Sequence, residues 1–177
     1  MTRQGTAGSG EIKNQLNLCI GTTSPNYKLD VNGNINATSY RSNGTDYAEW
    51  LEKLNPDEQM EEGDVVAVVN GKITSPVNVG IGAADSYMVV TGRAGYVGNE
   101  GCPKDRCVVV SFVGQVPVKV SGEVERGDYI MSVNGTAKAV KPESIGGFGE
   151  YKKVIGTAWG SKENEGNGKV LVAIGVK

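Results

Sequence analysis

The sequence predicts a mainly β chain: a compact antiparallel β domain of two related halves, one short N-terminal amphipathic helix and an extended fibre-like arm. Three observations carry this. Glycine contributes 26 of the 177 residues, roughly twice the usual share of about 7%, which favours turns over helices. A block of short apolar runs bounded by Gly-Asp and Asn-Gly occurs twice, and only one stretch has helical apolar spacing.

The arm comes first. Met1–Gly10, "MTRQGTAGSG", reads as a flexible lead. In "IGTTSPNYKLDVNGNINATSY" apolar and polar residues alternate over "YKLDV" and "NINATSY", with Asn32-Gly33 between them. Some forty residues of this kind bury too little surface to fold alone. The arm, residues 1–41, therefore needs partner chains, and intertwining in a homo-oligomer is the simplest supply.

Residues 42–62 form the junction. In "TDYAEWLEKLNPDEQM" the apolar residues Tyr47, Trp50, Leu51 and Leu54 fall at i, i+3, i+4 and i+7, one face of a helix that Asn55-Pro56 would end. Asp46 and Glu49 have the spacing of a capping box, each carboxylate reaching a free amide of the first turn.

Residues 63–177 form the duplicated domain, with approximate halves 63–123 and 124–177. "EEGDVVAVVNGKI" from Glu61 matches "VERGDYIMSVNGTA" from Val124, setting Gly63, Asp64, Asn70 and Gly71 against Gly127, Asp128, Asn134 and Gly135 at an offset of 64. The same offset lays "YMVVTGRAG" from Tyr87 on "YKKVIGTAW" from Tyr151, pairing Val90 with Val154. A third block, Val109–Val116 against Leu171–Lys177, follows with a slip of three. Asn-Gly between apolar runs signals a two-residue hairpin, because both turn residues must reach positive φ. The Gly-Asp pairs read as turn chemistry, since no GxGxxG or GxxxxGK[ST] accompanies them. Trp50 and Trp159 are expected in the core.

Composition excludes several classes of function. The 18 basic and 20 acidic residues are well mixed, which gives no face built for phosphates and no support for nucleic-acid binding. No apolar run is long enough for a signal peptide or a membrane span. Histidine is absent, which removes Ser-His-Asp and Cys-His nucleophile systems and imidazole metal sites. Cys102 and Cys107 in "GCPKDRC" lack the second pair that zinc requires; a free or buried thiol pair is favoured over a small local disulfide. No cofactor and no metal is expected, and Cys19 has no partner in sequence.

"IGTTSPNYKLDVNGNI" resembles the "VGIGTTSP..KLDVNG.I" element near the ends of phage tail fibres and related viral surface proteins. The following "SNGTDYAEWLE…NPDE…GDVVAV" resembles the opening of the C-terminal autoproteolytic domain of phage neck-appendage proteins, the intramolecular chaperone or peptidase G2 family. The likeness covers most of the chain from Ile20. It implies an appendage domain on a virion that promotes homotrimerisation of the fibre segment ahead of it and is then released by a single self-cleavage. The matching bond is Thr45–Asp46, with catalytic acids in Asp46–Glu49: Glu49 the better candidate, Asp46 the other. Thr45 stands where the family pattern would have Ser.

The residues limit the chemistry. Attack by the Thr45 hydroxyl on its own carbonyl closes a four-membered ring, and an N-to-O shift there would cut Gly44–Thr45 instead. Two routes remain: Glu49 activates a water, or the Asp46 carboxylate reacts beside its own amide. Lys53, Arg41 or a neighbouring chain would supply the proton and the oxyanion donors. The alternative function is a non-cleaving tip domain that binds a host surface glycan or receptor.

Overall fold

The computed structural model describes residues 17–80 and 82–175; the lead expected over Met1–Gly10 lies outside them. The chain divides into two units, residues 1–41 and 42–177. In the first, β1 (Leu18–Ile20) and β2 (Leu29–Val31) pair in parallel, Leu18 opposite Leu29 and Ile20 opposite Val31. The run "NINATSY", expected to alternate as a strand, has no strand partner and forms none. Leu18, Ile20 and Leu29 are about half exposed. A two-stranded ladder of three residue pairs is marginal by itself.

The second unit is built from β3 (Asp46–Glu52), β4 (Val65–Val69), β5 (Lys72–Thr74), β6 (Ser86–Val90), β7 (Tyr96–Gly98) and β8 (Cys107–Ser121), then β9 (Tyr129–Val133), β10 (Thr136–Val140), the single turn α1 (Phe148–Tyr151), β11 (Val154–Ala158) and β12 (Asn167–Ile174). Strands β10, β9, β11, β12 and β8 follow one another in the sheet, and the parallel bridge Lys138–Ser121 joins β10 back to β8. This closes a five-stranded barrel and leaves it no open edge. Along β8 the "VPVKV" alternation buries Val116, Val118 and Val120 and turns Pro117 and Lys119 outward. Those valines pack on Ile130, Ile155 and Val172 to fill the barrel.

The extra strands lean on the other part of β8. Its first half pairs with β3 on one edge and β6 on the other, and β4 and β5 continue outward from β6. One parallel bridge, Lys53–Ile73, brings the end of β3 round to β5. A second apolar cluster of Val66, Val68, Ile73, Val90 and Val110 lies there. Thus β3 stands to the first set of strands as the later part of β8 stands to the barrel, and β8 serves both.

The amphipathic helix expected over Asp46–Leu54 is a strand. Asp46 and Ala48 are buried while Tyr47 points outward and Leu54 is exposed, the period of a pleated strand. Both periods fit seven residues with so few apolar positions. The long edge of β8 decides between them, with Asp46 opposite Gly114 through Glu52 opposite Cys107. No helix end exists there, so neither Asp46 nor Glu49 caps one.

The hairpin and turn expectations hold locally. Asn70-Gly71 and Asn134-Gly135 all have positive φ and close Val69 onto Lys72 and Val133 onto Thr136, as a type I′ turn requires. In each Gly-Asp turn the aspartate accepts from the backbone N–H three residues back: Glu61 to Asp64 at 2.7 Å, Glu125 to Asp128 at 2.9 Å. A lysine clamps each turn, Lys119 on Asp64 and Glu61, Lys141 on Asp128 and Glu125. Hydrogen bonds to these carboxylates raise both ammonium pKa values.

The later repeat alignment shifts. The amide of Val90 donates to the Asp64 carbonyl as that of Ala158 donates to Asp128, and Thr91 to Val109 as Trp159 to Leu171. The counterpart of Val90 in the second copy is therefore Ala158 and not Val154. The second copy is longer between β10 and β11, where α1 intervenes, and β11 itself is irregular against β9 at Val154–Gly156. Trp159, expected in the core, is 51% exposed because it follows the buried Ala158 and faces outward by alternation. Trp50 is partly buried. Cys102 and Cys107 are disulfide-bonded, contrary to the free-thiol expectation. The turn in which the Arg106 and Cys107 amides both donate to the Pro103 carbonyl brings them together.

One carboxylate outside the repeat anchors the loop after β3. Glu58 accepts from the Thr74 hydroxyl at 2.9 Å, the Ser75 amide at 2.7 Å and the Asn78 amide group at 3.0 Å. Truncation leaves three donors to find other partners. Glu58→Ala is expected to cost about 2 kcal/mol, seen as a lower denaturant midpoint at unchanged slope.

Candidate functional site

The sequence directs attention to Thr45, Asp46 and Glu49, which stand where the chain enters β3. The backbone on either side of the Thr45–Asp46 bond is clamped. Upstream, Arg93 donates from Nη2 to the Asn43 carbonyl at 3.1 Å. Gly44 lies so close to the chain at Ala94–Gly95 that a Cβ there would stand 2.2 Å from the Gly95 nitrogen. The Gly95 amide donates to the Asp46 carbonyl at 2.7 Å.

Thr45 is bracketed by one residue. Its hydroxyl donates to the Gln115 carbonyl at 2.6 Å, and the Gln115 amide donates to its carbonyl at 3.2 Å. The hydroxyl is thereby committed away from either neighbouring peptide bond. The Gln115 N–H already lies on the oxygen that would carry negative charge if the Thr45 carbonyl were attacked. Gly114 makes this approach possible: a Cβ on it would lie 2.5 Å from both the Asp46 Cα and the Thr45 oxygen.

Asp46 is 6% exposed. Its Oδ1 accepts from the Thr91 hydroxyl at 3.3 Å, while Oδ2 is buried with no hydrogen-bond partner. The Ser111 hydroxyl is likewise buried and unpartnered; Ser111 pairs with Ala48, two along from Asp46 on the same side of β3.

Glu49 faces the other way. The β-bulge at this point removes a residue's register from β8, Tyr47 pairing with Val113 and Ala48 with Ser111, so β3 keeps its own alternation. Glu49 consequently shares a face with Tyr47, whose hydroxyl donates to it at 2.5 Å. That bond favours the neutral phenol and raises the Tyr47 pKa. The Tyr47 ring stacks on Tyr96 at 5.3 Å and meets Phe112 edge-on at 6.1 Å.

The two candidate acids are thus on opposite faces of one strand. Lys53, named as a proton donor, stands at the far end of β3 with its ammonium on the Pro56 and Glu58 carbonyls, and Arg41 belongs to the other unit. The groups that do surround the bond, Thr91 on the Asp46 carboxyl, Arg93 on the Asn43 carbonyl, and Gly114 and Gln115 against Thr45, carry no local motif. Only the pairing of both β3 and β6 with β8 would have exposed them. Among the described residues no cluster of three or more His, Cys, Asp or Glu could hold a metal ion, and no helix is long and apolar enough to cross a membrane.

The fold defines a class: a mainly β domain with a closed five-stranded barrel and extra strands sharing one of its staves. Among solved structures it is similar to the crystal structure of pre-mature gene product 12 of bacteriophage phi29, with a TM-score of 0.53 and 19% identity over 82% of this chain and 24% of that one. At that identity the likeness is one of fold, and the chain spans about a quarter of that protein's length. No protein-family model and no curated protein matches the chain.

Proposed function

We propose that this chain is the assembly domain of a phage or viral fibre or appendage protein, an intramolecular chaperone that promotes homotrimerisation of the fibre ahead of it and then separates by cleaving Thr45–Asp46. The observation that carries this reading is the desolvated Asp46 carboxylate, half unpartnered, beside a peptide bond held in one conformation by Gln115 and Gly95. The fold likeness to a bacteriophage protein in its pre-mature form supports the setting. The half-exposed Leu18, Ile20 and Leu29 of the arm support self-association. Virion location and the upstream fibre segment as partner follow from the same reading.

The geometry favours Asp46 over Glu49 as the reacting group. An Asp46 carboxylate oxygen attacks the Thr45 carbonyl carbon through a six-membered ring, and the Gln115 N–H meets the oxyanion. The carbon–nitrogen bond breaks, and the nitrogen takes up a proton from solvent as the new α-amine of Asp46; the carboxyl groups formed in the next step return it. The mixed anhydride left between Thr45 and the Asp46 side chain adds one water and splits into two carboxyl groups. No other co-reactant is required.

The chain itself, and the fibre-bearing chain made by joining a fibre segment ahead of Met1, test this by intact mass over time and by sedimentation. The expected result is a trimer that yields a fragment beginning at Asp46. A chain that stays whole overturns cleavage; if it also binds a glycan through the exposed face of Trp159, the tip-domain reading takes its place.

A further inference from the structure

We infer that Thr91 is the positioning residue of this cleavage, holding the Asp46 carboxyl so that one oxygen is fixed and the other is left free to react. The inference rests on reading Thr45–Asp46 as the bond that is cut.

Thr91 follows β6 directly, 8% exposed, and its amide donates to the Val109 carbonyl of β8 at 3.0 Å. Its place is therefore set by the same strand that holds Thr45 and Asp46. Its hydroxyl accepts from the Arg93 amide at 3.4 Å and donates to Asp46 Oδ1 at 3.3 Å. With a lone pair already engaged by Arg93, the hydroxyl proton is directed at the carboxyl. An ionised carboxylate has room for about four hydrogen bonds, yet Oδ2 has none and lies out of water. An oxygen relieved of hydrogen bonds keeps its electron density for attack, and a side chain tethered at Oδ1 samples fewer rotamers.

Arg93 takes part twice: its side chain holds the Asn43 carbonyl while its amide holds the Thr91 hydroxyl. The segment Thr91–Gly95 thus fixes both the strand to be cut and the acid beside it. The Ser111 hydroxyl, 2% exposed and unpartnered on the same side of the sheet, leaves Thr91 as the sole protein donor to the Asp46 carboxyl among the described residues.

The test uses the fibre-bearing chain with Thr91→Val, which keeps the side-chain shape and removes the hydroxyl, and Thr91→Ser, which restores it. Thr91→Ala serves as a second hydroxyl-free variant should the valine chain not fold. The hydroxyl-free chains are expected to release the Asp46 fragment at least about tenfold more slowly than the parent, with the serine chain within about threefold of it. Rescue by serine, at matched melting temperature, separates positioning from a loss of packing. A hydroxyl-free chain that cleaves at the parent rate, or a serine chain as slow as the valine one, overturns the inference while leaving cleavage itself standing. A parent that stays whole overturns the reading beneath it.

Discussion

Gly114→Ala is expected to unfold the site, lowering stability by about 4 kcal/mol and abolishing the Gln115 clamp on Thr45. Two costs act together. Gly114 has φ +135, a conformation that side chains rarely adopt, and its added Cβ would lie 2.5 Å from the Asp46 Cα and the Thr45 oxygen. Both obstacles are backbone, so no rotamer change relieves them. Gly122 separates the two: φ is +88 with open space around its would-be Cβ, and Gly122→Ala should cost only the conformational share, about 1–2 kcal/mol. Chemical denaturation of both variants measures the difference. Equal losses would mean that the close approach at Asp46 contributes nothing.

Asp46→Asn is expected to reduce cleavage of the fibre-bearing chain by at least about a thousandfold, while Glu49→Gln leaves it within about threefold. The asymmetry follows from β3. Asp46 is buried beside the bond it borders, whereas Glu49 turns to the opposite face and accepts the Tyr47 hydroxyl. Glu49→Gln has its own signature: with the negative acceptor gone, the raised Tyr47 pKa falls toward the ordinary phenol value, which an ultraviolet titration reads directly. Intact-mass time courses of both chains decide the matter. Loss of cleavage in Glu49→Gln alone would transfer the reaction to a water activated from that face.

What could be read without the structure was chemistry local to a few residues. Asn70-Gly71 and Asn134-Gly135 must be hairpin turns because few other pairs reach those φ values, and the Gly-Asp turns hold themselves with their own carboxylates. Errors arose where distant partners decide. "DYAEWLE" satisfies a helical and a strand period equally, and only β8, more than fifty residues later in sequence, chooses. The alignment of Val90 with Val154 matched residue types, yet equivalent hydrogen bonds, to Asp64 in one copy and Asp128 in the other, make Ala158 the counterpart of Val90 across an insertion. The site shows the same division. Thr45, Asp46 and Glu49 were singled out by resemblance, while Thr91, Arg93, Gly114 and Gln115 converge on the Asn43–Asp46 segment only through folding.

The sharing of β8 has a mechanical consequence. A pull on the chain ahead of residue 42 would meet this unit first at Asn43 and Thr45, held by Arg93 and Gln115, and then pass along β3 into β8, whose side chains wall both apolar cores. Antiparallel strands loaded lengthwise resist by shearing a whole ladder at once, so such a pull meets the β3–β8 ladder as one piece. A break at Thr45–Asp46 would remove the covalent path into that ladder and leave only the hydrogen bonds of Arg93 and Gln115 on the segment before it.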